Sequence, residues 1–320
     1  MPPAPLDAKP SSLFTFPAAS MELWIPITIA AAFLQNLRSA AQKHLKGVMG
    51  TTGATFVRFG FGLPFAVLFI LGLHFLAGFP FALPNGVFLG WIAAASVGQI
   101  AAQALLVHLF SFRNFAVGTA YSRTEPVQAA IFGLIFLNEL AGLATLVAIA
   151  ITVLGVMLIS VAHAPLSWRN LFASLASRTA LIGLASGTLF GITAVAYRAA
   201  SLALGGPNFM MQAATTLLFA IFLQTLLMLA WMAWRDRAEL GRIARAWKLA
   251  LFTGLVGATA SFGWFAAMTL QQAAMVKALA QVEMIFTFAS SVYFFRERIN
   301  PTEIAGICLI VAGILVLVLL

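Results

Sequence analysis

Long apolar stretches follow one another along nearly the whole chain, parted by short gaps that carry proline, glycine or charge. Most are about twenty residues or longer, the length a helix needs to cross the hydrocarbon core of a bilayer. The pattern predicts ten spans, at 23–41, 51–77, 86–110, 115–137, 141–162, 179–203, 208–234, 247–270, 274–295 and 301–320. A membrane barrel is excluded, because barrel strands alternate apolar and polar residues and these runs do not. Pro80 and Pro84 part the second and third spans, Asn138–Glu139 closes the fourth, and Gly205–Gly206–Pro207 parts the sixth and seventh. Asn300–Pro301 opens the last, with proline in the first turn, where its missing N–H costs nothing. One long polar connection runs from Arg235 to Lys248.

The pattern repeats. At an offset of 158 residues Glu125 falls on Glu283, Phe136 on Phe294, Glu139 on Glu297, Val153 on Val311, Gly155 on Gly313 and Gly47 on Gly205. Ala164–Pro165 marks the middle, so residues 1–20 read as a disordered tail, 21–164 as a first repeat and 165–320 as a second. Five spans per repeat is an odd number, so the second copy enters the membrane inverted. Such inverted repeats typify secondary transporters, whose site lies between the repeats near mid-membrane. Gly183, Gly187 and Gly191 recur every fourth residue and form a stripe for close helix packing.

Composition agrees with the pattern: 62% of residues are hydrophobic and 8% charged, and mean hydropathy is +1.00. A soluble domain would carry about a quarter charged residues. The net charge of +9 is spread unevenly. The loops after spans one, three, five, seven and nine are assigned Arg38, Lys43, Lys46, Arg113, Arg169, Arg178, Arg235, Arg237, Arg242, Arg245, Lys248, Arg296 and Arg298. Only Lys9 lies on the other side, and Arg58, Arg123, Arg198 and Lys277 fall inside spans. The positive-inside rule makes the rich side cytoplasmic and turns both termini outward, as expected in a cell (inner) membrane. The charge is a topological signal and a contact with lipid headgroups, not a nucleic-acid footprint.

Ionisable residues inside spans are costly and default to functional candidates. Glu125 lies in Tyr121–Ser122–Arg123–Thr124–Glu125–Pro126, and helical spacing puts Tyr121, Glu125 and Gln128 on one face. Pro126 loosens the helix and frees the carbonyl of Ser122. Glu125 contacts substrate or a coupling proton, or pairs with an arginine and holds helices together. Glu283 carries the same alternatives, and inverted mates can line one cavity. Lys277 either faces that cavity or snorkels to the interface, the latter favoured; Arg58 and Arg198 pose the same choice, and Arg123 is deeper. Glu139 and Glu297 close their spans and read as gate or structural residues. Gln99 and Gln103 share a stripe of the third span, as substrate hydrogen-bonders or interhelical glue. Gln35, Asn36, His108, Gln212, Tyr197 and Trp264 are lesser candidates, and His74 and His108 have no partner at metal-ligand spacing. Cys308 is the single cysteine and cannot form an internal disulfide. No G-x-x-x-x-G-K-[ST], G-x-S-x-G or H-E-x-x-H occurs, so neither ATP-driven pumping nor those catalytic chemistries are indicated, and no cofactor is expected.

Glu125–Pro126, then Phe136–Leu137–Asn138–Glu139 and Val153–Leu154–Gly155–Val156, resemble the end of one EamA domain. Glu283, then Phe294–Phe295–Arg296–Glu297–Arg298, Glu303–Ile304–Ala305–Gly306–Ile307 and Ala312–Gly313–Ile314, resemble the end of a second. Two such repeats resemble the drug/metabolite transporter superfamily. The resemblance covers about residues 22–320 and implies an all-α, ten-helix basket of two inverted repeats around a central cavity, working by alternating access. It implies movement of small metabolites, often as efflux, with Tyr121, Glu125 and Glu283 on cavity-lining helices. A secondary transporter of a small polar or amphipathic metabolite, such as an amino acid, with protons as coupling ion, is the first expectation. A lipid-linked-substrate flippase or an uncoupled facilitator is the alternative, and an enzyme is not expected. The expected partners are the small-molecule substrate and the bilayer, with the chain a monomer or homodimer.

Overall fold

The computed structural model describes residues 23–109, 121–161, 177–206, 208–295 and 301–319. Among them are thirteen helical segments: α1 (Trp24–Leu45), α2 (Thr51–Gly60), α3 (Leu63–Phe75), α4 (Gly86–Leu109), α5 (Glu125–Leu137), α6 (Leu143–Val161), α7 (Arg178–Ala203), α8 (Phe209–Arg235), α9 (Arg237–Arg245), α10 (Trp247–Leu270), α11 (Ala273–Leu279), α12 (Val282–Phe295) and α13 (Pro301–Leu319). No strand occurs among the described residues. Among the described residues six spans are long and apolar enough to cross a membrane, with α2 and α3 counted as one, and α5 and α6 are shorter apolar helices. The protein is a multi-pass membrane protein.

Where the expected spans lie within the described residues they are helical, with three interruptions and one addition; residues 115–120 of the fourth span lie outside the described residues. The second span breaks at Phe61–Gly62, where Pro64 withholds an N–H from the helix. The fourth and ninth break at equivalent places, just before Glu125 and Glu283. Both breaks are tight i→i+3 turns: Thr124 N–H donates to Tyr121 O at 3.2 Å, and Gln281 N–H to Ala278 O at 3.2 Å. The addition is α9, inside the polar connection. Its Glu239 is 2% exposed and lies at the N-terminus of α2, where a Cβ on Gly50 would overlap its carboxylate. Helix α2 has no acidic residue in its own first turn, so α9 supplies the anion that the helix dipole favours.

Helix ends follow from local chemistry. Asn208 caps α8 by accepting from the Met210 and Met211 amides at 2.9 and 3.2 Å, and Ser177 caps α7 through the Ala180 amide. Asn138 ends α5 at φ 54°, a left-handed cap. Trp231, Trp234 and Trp247, with Arg235 and Lys248 over their rings, mark one rim as the aromatic belt of a membrane interface does.

The major packings run between the first half and the second: α1 on α10, α4 on α7, α2 and α3 on α8, α6 on α13, and α5 on α11. Under the 158-residue offset α1–α10 maps onto α7–α4, while α2–α3 with α8 and α6 with α13 map onto themselves; the counterpart of α11 falls almost wholly outside the described residues. At α6–α13 this holds residue by residue. A Cβ on Gly155 would lie 2.6 Å from Gly306 O, and one on Gly313 would lie 3.0 Å from Ala148 O. Gly155 corresponds to Gly313 and Ala148 to Gly306, so the contact is reciprocal. Small residues let these backbones touch without a solvent-driven hydrophobic term, as lipid requires. The glycine stripe of α7 does the same: a Cβ on Gly187 would lie 2.8 Å from Ser122 O, and one on Gly191 would lie 3.1 Å from Ala129 N.

Candidate functional site

The breaks in the fourth and ninth spans lie next to Glu125 and Glu283, positions matched by the 158-residue offset, and charged side chains gather there. Glu283, 8% exposed, enters the first turn of α12. Its Oε2 accepts from Gln35 Nε2 of α1 at 2.8 Å and pairs with Arg123 Nη1 at 3.5 Å. Glu125 opens α5, and its Oε1 meets Lys277 Nζ of α11 at 2.6 Å. Each carboxylate thus draws its cation from the opposite half. Arg123 precedes α5 and reaches Glu283; Lys277 lies on α11 and reaches Glu125. Trp264 of α10 joins the two pairs, since its indole N–H donates to Gln35 Oε1 at 3.0 Å and its ring lies 5.5 Å from Lys277 Nζ. The four ionised side chains are 32%, 10%, 21% and 17% exposed for Arg123, Glu283, Lys277 and Glu125, so the cluster is sheltered yet reachable.

Three of the expected placements change. Lys277, favoured as a snorkelling residue, has its ammonium against Glu125 Oε1 and 5.5 Å from the Trp264 ring. Arg38 is not a loop residue. It lies inside α1, 6% exposed, one turn beyond Gln35. The stripe joining Tyr121, Glu125 and Gln128 is cut by the turn at Arg123–Thr124. Tyr121 instead packs against Ala180, Met157 and Leu184. Gln128 lies on the glycine stripe of α7, its Oε1 buried without a hydrogen-bond partner.

The amides of the third span divide. Gln99 Oε1 accepts from Tyr197 Oη at 2.9 Å and from Gln224 Nε2 at 2.7 Å, closing a polar ring between α4, α7 and α8. Gln99 thus joins three helices by hydrogen bonds, and Gln224 is a member that periodicity did not single out. Gln103 is half-buried on the same helix. Glu139 pairs with Arg198 Nε of α7 at 2.7 Å, and Arg198 Nη1 also donates to the carbonyls of Met268, Thr269 and Gln271 at the end of α10. Arg198 therefore caps one helix and tethers the end of another. Glu297 lies outside the described residues. His74 meets Phe79 O at 2.9 Å and stacks on Phe81, a packing role. No group of three or more His, Cys, Asp or Glu placed to hold a metal occurs among the described residues.

Away from the charges, Val127, Ile131 and Leu134 of α5 and Leu146 and Ile149 of α6 line an apolar groove of about 330 Å³.

Residues 177–319 match the EamA-like transporter family. One solved structure, a crystal structure of a protein 15% identical to this chain, superposes with a TM-score of 0.66 over 94% of this chain and 96% of its own. At that identity the likeness is one of fold. No curated protein matches the chain.

Proposed function

We propose, from the match of residues 177–319 to the EamA-like transporter family, that the whole chain is a secondary carrier of a small polar metabolite, working by alternating access between two inverted halves. The observation that carries the reading is the crossed pair of salt bridges, Arg123–Glu283 and Lys277–Glu125. Both join one half to the other at a helix break. An ion pair between moving bodies is a switchable contact: it holds one arrangement of the halves and must be exchanged to reach the other. A substrate bearing charge or strong hydrogen-bonding groups performs that exchange by replacing one partner, which couples its binding to the movement. A proton does the same for a carboxylate released from its cation, so Glu125 and Glu283 are the sites we assign to coupling. Trp264 contributes an apolar wall and a hydrogen-bond donor beside both pairs, which suits an amphipathic metabolite such as an amino acid.

Counterflow in proteoliposomes tests this. Vesicles loaded with amino acids, vitamins or sugar phosphates are compared for the parent protein and a Glu125→Gln, Glu283→Gln variant. Exchange of one substrate class, lost or shifted in pH dependence in the variant, supports the carrier. Unchanged rate and pH dependence in the variant overturns the role of the two carboxylates.

The groove between α5 and α6 favours a second reading, movement of a lipid-linked compound with its chain along the apolar face. Scrambling of a lipid-linked probe without soluble counterflow selects it.

A further inference from the structure

Among the described residues, two buried arginines of the first half form no ion pair. Arg38 of α1 is 6% exposed and Arg58 of α2 is 8% exposed. Both side chains rest on the same glycine of α10: a Cβ on Gly257 would lie 3.2 Å from Arg38 Cδ and 3.4 Å from Arg58 Cγ. Gly257 thus leaves room for the aliphatic stems of both arginines to pass side by side against α10. Nε and Nη1 of Arg38 and Nε of Arg58 are buried without a hydrogen-bond partner. The one side-chain hydrogen bond given to the pair is a long one, Arg58 Nη2 to Ser261 Oγ at 3.5 Å. The charges acting on Arg38 are Arg58, which repels it, and Glu283, which is already bonded to Gln35 and Arg123.

Two like charges out of water, with donors unspent, are costly unless something anionic joins them. A guanidinium also presents its N–H groups in a planar fork that matches the paired oxygens of a carboxylate or phosphate. The position suits a substrate. Arg38 follows Gln35 by one turn, and Ser261 precedes Trp264 by one turn on α10, so the arginines adjoin the ion-pair cluster along both helices. We propose that Arg38 and Arg58 form an oxyanion subsite that receives the carboxylate or phosphate group of the transported molecule. The substrate class is then an organic acid, a zwitterion or a phosphate ester, and neutral amines and sugars are excluded. This rests on the carrier reading, because it takes the cluster beside the arginines as the place where substrate sits.

The test reads binding, not transport. Purified full-length protein in detergent is titrated with sodium acetate and, separately, with inorganic phosphate, at constant ionic strength held with chloride. Thermal stabilisation and calorimetry are the readouts. A saturable stabilisation above the chloride baseline is expected from at least one of the two anions, and the stronger names the head group. Arg58→Lys keeps the charge but loses the fork, and is expected to weaken that binding about tenfold. Arg38→Gln is expected to abolish it. Arg242→Gln, on the exposed helix α9, is the control and should leave it intact. Because the parent protein carries the first measurement, misfolding of the Arg38 variant does not blunt the test. No saturable response to either anion overturns the subsite, and so does a response that survives in folded Arg58→Lys and Arg38→Gln proteins. Anion binding with silent counterflow would keep the subsite and sink the carrier. Counterflow without anion binding would do the reverse.

Discussion

At the scale of single residues, the two crossed salt bridges set the terms. Lys277 and Glu125 are each about one-fifth exposed or less, between the regime where surface pairs contribute little and the regime where losing one buried partner is severe. Lys277→Gln leaves Glu125 facing a sheltered site without its cation. The expected loss of thermal stability corresponds to about 2 kcal/mol. Adding Glu125→Gln should recover part of it, and a double-mutant cycle in detergent measures the coupling. Both glutamates were legible in the sequence because carboxylates in apolar runs demand an explanation. Arg38 was not, since a residue near the end of a span reads as a loop charge until its neighbours are known. The signal that would have found it was its spacing from Gln35. Gln224 was missed for a related reason: one amide in a long apolar helix has no meaning until Gln99 and Tyr197 stand opposite.

Between helices, small residues decide how close the axes come. Gly306→Ala would thrust a methyl to 2.6 Å from Gly155 O, with Ile159 Cγ1 at the same distance. Overpacking of that kind costs about 1–3 kcal/mol, and a lowered melting midpoint is expected. Gly90→Ala on α4 meets nothing within 4 Å and should be neutral or stabilising by a few tenths, since alanine restricts the unfolded chain. The contrast separates packing glycines from incidental ones. A second expectation concerns α9. Glu239→Ala removes the anion at the start of α2 and is expected to cost about 1 kcal/mol, read as faster amide exchange across Thr51–Thr55. The spans themselves were plain from hydropathy, but the breaks at Arg123–Thr124 and Ala280–Gln281 were not. Pro126 hinted at the first. The second has no proline, and Ala280–Gln281 carries no local turn signature, so only the tertiary environment of Glu283 explains it.

For the whole molecule, the reciprocal α6–α13 contact is the packing feature that matches the 158-residue offset between Glu125 and Glu283. The order in which the parts meet was beyond the sequence, because helix pairing depends on which small-residue stripes face each other. That order has a consequence for how the protein is made. Arg123 and Glu125 leave the ribosome roughly 150 residues before Glu283 and Lys277. At ordinary rates of elongation that is an interval of about ten seconds or more. During it the membrane holds a carboxylate and a guanidinium whose final partners do not yet exist. The early half must wait beside the insertion machinery, or in the company of another protein, until its counter-charges arrive. A chain ended after Ala164 never receives them. In pulse-chase it is expected to be degraded faster than the full protein, and co-synthesis of residues 165–320 should extend its life.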